Sequence, residues 1–367
     1  MENKRNINIE LIRVIAMLTV VANHYFRHGG GITWSEFGTM KYIVFWAMDA
    51  FVFICVNLFV LISGYCLIQT RFKISRLIRL WIETVTYSIL CTLVCKLLGA
   101  NISNVQLIKA VIPFTTEAYW FVTAYAVLLC FTPFLNLLIQ KMSQKEHQVL
   151  LIVLGVIFSI MPTFLVWERD LITTGMDYGW FIVLYFFAAY IRKYGLNFKT
   201  KRAFWIYILC SLVTGFARLP LGIVSDKLIG SYVLSGLFFR YNSITVLVAS
   251  ICLFWGLLNV EIKNQKVARI ILSLSPLTFA VYLIHDNGFV RDILWTTLPM
   301  QKLYDRGILA YLAGLLIIVP LIYLSCCAIE KVRSLIIQKL KFQLFLKKVD
   351  DVYADFLNKK LGIDKAN

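Results

Sequence analysis

Ten stretches of the chain are nearly continuous apolar runs, near residues 9–26, 42–68, 78–99, 119–139, 149–167, 179–191, 203–219, 241–260, 270–289 and 307–328. Short polar or Gly/Pro-marked segments separate them. None shows the alternating ten-residue units of a lipid-facing β-barrel strand, so each run predicts a helix. A helix crosses the hydrocarbon with about 20 residues. Most runs are near that length; the sixth is short and the ninth is interrupted by Pro276. The pattern predicts an all-α polytopic membrane protein, a bundle of about ten transmembrane helices over residues 1–328, followed by a basic tail over residues 329–367. In the tail, Lys pairs alternate with Leu335, Ile336, Leu340, Phe342, Leu344 and Phe345, the pattern of an amphipathic helix on the inner leaflet.

Composition removes other classes. The chain is 60% hydrophobic and only 16% charged, with mean hydropathy +0.76, which leaves no room for a large soluble domain. The net charge of +17 would point to nucleic acid in a soluble protein. Here its distribution matters more. With the N-terminus inside, 25 Lys and Arg fall on inward segments and nine on outward ones, and Arg13, Lys96 and Arg218 lie within runs. That split obeys the positive-inside rule, predicts both termini in the cytoplasm and removes nucleic acid from the expected partners, leaving membrane lipids and small substrates. The nine cysteines sit almost entirely in apolar runs, where Cys acts as a small hydrophobe, so neither disulfides nor a metal site is expected. No small-residue cleavage site follows Lys4 and Arg5, so the first run reads as an uncleaved helix.

Polar residues inside the runs carry the candidate chemistry. Arg13 and His24 share the first run, and a charged Arg there costs about 2.5–3.5 kcal/mol on insertion scales. Eleven residues make three turns plus about 20°, so both side chains lie on one face, about 16 Å apart along the axis. A snorkelling Arg with an interfacial His is one reading, and a functional pair is the other. Arg76 and Arg79, spaced i,i+3 at the inner end of the third run, read first as topological anchors, with Glu83 as the i+4 partner of Arg79. They could also clamp phosphates. Ser63-Gly64-Tyr65, at the inner end of the second run, reads as close helix packing. At the outer ends lie Asp49, Glu117, Trp120, His285, Asp286, Asn287 and Arg291, groups suited to holding a hydroxylated acceptor and taking its proton.

These residues resemble the acyltransferase-3 family of integral-membrane acyltransferases. The likeness runs through Asn6 to Tyr25 with Arg13, ten intervening residues and His24, then Phe59 to Tyr65 (FVLISGY), Arg76-x-x-Arg79, Tyr119-Trp120-Phe121, Pro133 and Tyr282 to Asn287 with Arg291. The resemblance implies transfer of an acyl group, usually acetyl from cytosolic acetyl-CoA, to a hydroxyl of an envelope carbohydrate or lipid-linked sugar, at a bacterial plasma membrane and with no permanently bound cofactor. It implies that His24 is catalytic, Arg13 its essential companion, Arg76 and Arg79 with Ser63 and Tyr65 the donor side, and the outer residues the acceptor side. Many relatives add an esterase-like domain; ending in a basic tail, this chain is expected to finish the transfer in its membrane domain or with a partner. The rival reading is a transporter or flippase for a lipid-linked saccharide, since buried Arg, His and Asp also mark transport paths.

Overall fold

The computed structural model describes residues 5–116, 118–164, 174–339 and 342–361. Among them every regular element is helical. The first half runs α1 (Ile7–Arg27), α2 (Met40–Val52), α3 (Cys55–Leu67), α4 (Ile74–Leu97), α5 (Asn104–Val111), α6 (Trp120–Lys141), α7 (Gln144–Gly155), α8 (Met161–Phe164) and α9 (Tyr178–Tyr194). There follow α10 (Thr200–Phe216), α11 (Arg218–Ile229), α12 (Ile244–Leu258), α13 (Gln265–Leu274), α14 (Thr278–His285), α15 (Gly288–Thr297), α16 (Met300–Asp305), α17 (Ile308–Lys339) and α18 (Phe342–Leu361).

Among the described residues, eight stretches are long and apolar enough to cross a membrane: α1, α2 with α3, α4, α6, α7 with α8, α10 with α11, α13 with α14, and α17. The sixth and eighth apolar runs form α9 and α12, 17 and 15 residues long, about 25 and 22 Å at helical rise against roughly 30 Å of hydrocarbon. The expected ten crossings are therefore eight by length and composition, plus two short helices. Both are enclosed by protein. In α9, Trp180, Phe181, Leu184, Tyr185 and Ala188 are fully buried. Its first turn is tied to α3 by Trp180 Nε1 donating to Asn57 Oδ1 at 3.0 Å, and its last turn by Arg192 donating to the Tyr65 hydroxyl at 3.0 Å. Midway, a side chain at Gly64 would collide with Ala188 and the Tyr185 carbonyl, so the two backbones touch, as small residues permit.

Local chemistry sets the helix ends that matter. Asn6 Oδ1 caps α1 by accepting from Asn8 N at 3.0 Å. At the other end, the Tyr311 hydroxyl of α17 accepts from Gly31 N at 2.9 Å and donates to Tyr25 O at 3.1 Å, while the Tyr25 hydroxyl donates to Tyr311 O at 2.7 Å. A side chain at Gly31 would strike the Tyr311 ring, and Gly30 stands at φ +90°, so this buckle needs its glycines. Pro276 breaks the ninth run into α13, a single 3-10 turn and α14, because proline lacks the N–H and its ring clashes with the preceding turn. Asp286 follows α14, and Asn287 caps α15 by accepting from Phe289 N at 3.2 Å. Two helix ends thereby fix His285, Asp286 and Asn287 in place.

The α17 helix continues unbroken through residue 328 to Lys339. Its Arg333 donates to both oxygens of Glu330, at 2.6 and 2.7 Å, and to Glu83 Oε1 at 3.0 Å. This corrects the expected Glu83–Arg79 pair. Arg79 instead donates to Gln343 of α18 at 2.7 Å, since α18 packs on α4 and brings an acceptor to it.

Candidate active site

Two cavities lie along α1. One, of about 1060 Å³, is lined by His24 together with Asn23, Arg27, His28, Trp120, Asp286, Asn287 and Arg291. The other, of about 620 Å³, is lined by Arg13 together with Ser63, Lys73, Arg76, Arg79 and Tyr125. The two cavities meet α6 at neighbouring residues, Trp120 lining the first and Phe121 the second. Phe121 packs between Phe59, Tyr125 and Tyr282, with ring centroids 5.9–6.1 Å away.

His24 is set for proton transfer by what stands behind it. Its Nδ1 lies 3.0 Å from His285 Nε2 and 3.6 Å from Asp286 Oδ1. The other nitrogen of His285, Nδ1, lies 2.5 Å from Val281 O. A carbonyl only accepts, so this nitrogen carries the hydrogen, and with both rings neutral His285 Nε2 accepts from His24 Nδ1. That leaves the lone pair on His24 Nε2, which makes no hydrogen bond within the described chain, available as a base. Asp286 also accepts from Arg291 at 3.3 Å.

Facing these groups is an aromatic wall. Phe53 and Tyr241 stack at 4.5 Å, Trp120 lies 6.1 Å from Tyr241, and the Arg27 guanidinium sits 4.8 Å above Phe53. Arg27 is held by Asp49, which accepts from it at 3.0 Å and from Asn23 at 2.6 Å.

The structure assembles most of the expected residues and relocates three. Trp120, Asp286, Asn287 and Arg291 line the His24 cavity; Arg13, Ser63, Arg76 and Arg79 line the other. Asp49 is fully buried behind Arg27 and does not reach the cavity. His285 is likewise buried, behind His24, and lines neither cavity. Tyr65 follows Ser63 by two residues, about 200° around the helix, so it turns away toward Arg192, whose guanidinium covers its ring at 4.7 Å. Glu117 lies outside the described residues.

Sequence reasoning missed Arg27 and His28, although i+3 and i+4 spacing from His24 places them on its face; the His24 and His28 rings meet edge-on at 5.0 Å. It also saw no metal set, whereas His24, His28 and Asp286 bring ligand atoms within 4.8 Å of one another. Arg291 against Asp286 and Arg27 on the same cavity oppose a divalent cation there. The arrangement favours proton handling over metal binding.

Arg13 has its carboxylate on its own helix, with Nη1 donating to Glu10 at 2.8 Å. The Arg76 side chain makes no hydrogen bond or salt bridge with the described residues, which leaves a guanidinium fork open to the cavity.

No curated protein and no solved structure matches the chain. The family model described as an acyltransferase domain, that of the acyltransferase-3 family, matches residues 6–330 of 367. Every cavity-lining residue of α1, α4, α6 and α14 falls inside that match. The chain belongs to the acyltransferase-3 family: it is a membrane acyltransferase.

Proposed function

We propose that the protein moves an acyl group, in the first instance acetyl, from cytosolic acyl-CoA to a hydroxyl of an envelope carbohydrate. The observation that carries this reading is the division of labour along α1: a cationic cavity at Arg13, an acid/base cavity at His24, and the neighbouring α6 residues Phe121 and Trp120 lining one cavity each. Arginine forks suit the phosphates of coenzyme A. Its thioester sits at the far end of a long flexible arm, which suits a donor bound near Arg13 and reacting near His24. The aromatic wall of Phe53, Tyr241 and Trp120 suits the apolar face of a sugar, and Arg291 and Asn287 suit its hydroxyls.

In the reaction, the acceptor hydroxyl oxygen attacks the thioester carbonyl while His24 Nε2 takes its proton. The new C–O bond forms as the C–S bond breaks, and the coenzyme thiolate leaves and takes up a proton. His285 and Asp286 hold the His24 ring and face the imidazolium that forms. A transporter needs no such donor. Isotopically labelled acetyl-CoA supplied to the Arg13 side of sealed vesicles should place label on envelope glycan, read by mass spectrometry. Glycan that stays unlabelled in wild-type vesicles with a competent acceptor overturns the reading.

A further inference from the structure

The Arg13 cavity is completed by α18, an element that lies beyond residue 330, where the match to the acyltransferase family ends. Four of its residues reach the cavity: Gln343, Leu346, Lys347 and Asp350. Their i, i+3, i+4, i+7 spacing makes one helical face. Two anchors fix that face. Asp350 accepts from Ser75 N at 2.9 Å and from the Ser75 hydroxyl at 2.7 Å, in the first turn of α4, where an anion is favoured by the helix dipole. One turn away from Lys347, Gln343 accepts from Arg79 at 2.7 Å. Leu346 between them is only 3% exposed, and Tyr353 meets Phe72 edge-on at 6.0 Å. On its outer side α18 presents exposed Leu344 and Val352.

Charge makes this more than packing. The carboxylates bordering the cavity are engaged elsewhere: Asp350 by the start of α4, Glu83 by Arg333. Lys347 is exposed between the two anchors, and its side chain has no hydrogen bond or salt bridge with the described residues. Together with Lys73, Arg76 and Arg79 it leaves four cations lining the cavity, more than a single phosphate requires and suited to a polyphosphate.

Resting on the reading of this cavity as the acyl-CoA site, we propose that α18 is part of that site and that Lys347 binds a phosphate of the donor. The test is calorimetric binding of coenzyme A to the full-length protein in zwitterionic nanodiscs. Lys347→Ala should weaken binding about tenfold, as for one lost charge-assisted contact. Lys347→Glu should weaken it further, Lys347→Arg should restore it, and pantetheine, which lacks the phosphates, should bind all four forms alike. Wild-type affinity in Lys347→Ala and Lys347→Glu overturns the role of α18 and leaves the donor reading intact. Absence of coenzyme A binding by the wild type overturns both. If the variants bind coenzyme A normally but lose association with anionic vesicles, Lys347 serves the membrane and the proposal falls.

Discussion

A hydroxyl is a poor nucleophile until its proton is taken, and His24 Nε2 is the lone pair the structure leaves open beside a cavity large enough for a sugar. His24→Ala should lower acyl transfer by about 10²-fold or more, with coenzyme A binding unchanged, in a labelled-acetyl assay. His285→Ala should cost up to about 10²-fold through misplacement of the ring, seen in kcat and not in donor KM. Retention of transfer in His24→Ala with loss in His285→Ala would move the base to α14. On the other side, Arg76→Ala and Arg79→Ala should each weaken coenzyme A binding about tenfold. Lysine at either position should recover only part of it, because a point charge replaces a fork. The residues legible in the sequence were those whose position on a helix follows from spacing alone: Arg13 with His24, and Arg76 with Arg79. Those that went astray depended on partners from elsewhere in the chain. Asp49 is drawn inward by Arg27 and Asn23, His285 stands behind His24 of α1, and Tyr65 is drawn to Arg192. No periodicity reveals such pairings.

At the scale of elements, the apolar runs located the helices well, because a run that must satisfy its own backbone in lipid has no other conformation open to it. Lengths and roles were less legible. The runs that became α9 and α12 resemble the others in composition, yet they sit inside the bundle, where protein replaces lipid and a full apolar span is not required. The tail read as a membrane anchor because its exposed apolar side chains dominate the pattern; the polar face at Gln343, Lys347 and Asp350 gains meaning only when α4 is beside it. The contact between α3 and α9 gives an element-scale prediction. Gly64→Val should force apart backbones now in contact and destabilise the bundle by about 1–3 kcal/mol, read as a lowered Tm in detergent. Gly38→Ala, at a glycine with open space around it, meets no neighbour but sits at φ +82°, so its smaller loss would measure backbone strain alone.

For the whole molecule, the two ends of the bundle differ in chemistry, and orientation decides which end meets the proposed cytosolic donor. Lys73, Arg76, Arg79 and Lys347 gather at the Arg13 cavity, and Arg192 reaches Tyr65 two residues beyond Ser63, which lines it. The short helices connect the two ends: α9 passes from Asn57 to Tyr65, and the close of α12 receives Asn8 Nδ2 on Leu257 O at 2.9 Å, at the Arg13 end of α1. Counted as crossings, they preserve the alternation that the charge split of 25 to nine requires. On that basis the Arg13 cavity, α18 and both termini should face the cytoplasm, and the His24 cavity the outside. The stretch of α10 with α11 offers a clean test, since Lys199 precedes it and Asp226 lies near its far end. In intact cells an impermeant thiol reagent should label Asp226→Cys and leave Lys199→Cys unlabelled until the membrane is opened. The native cysteines interfere little, because most are buried and the exposed Cys130 lies within the apolar length of α6. Labelling of Lys199→Cys from outside would invert the molecule, place the cationic cavity away from the cytosolic coenzyme pool, and leave the proposed donor with no route to its site.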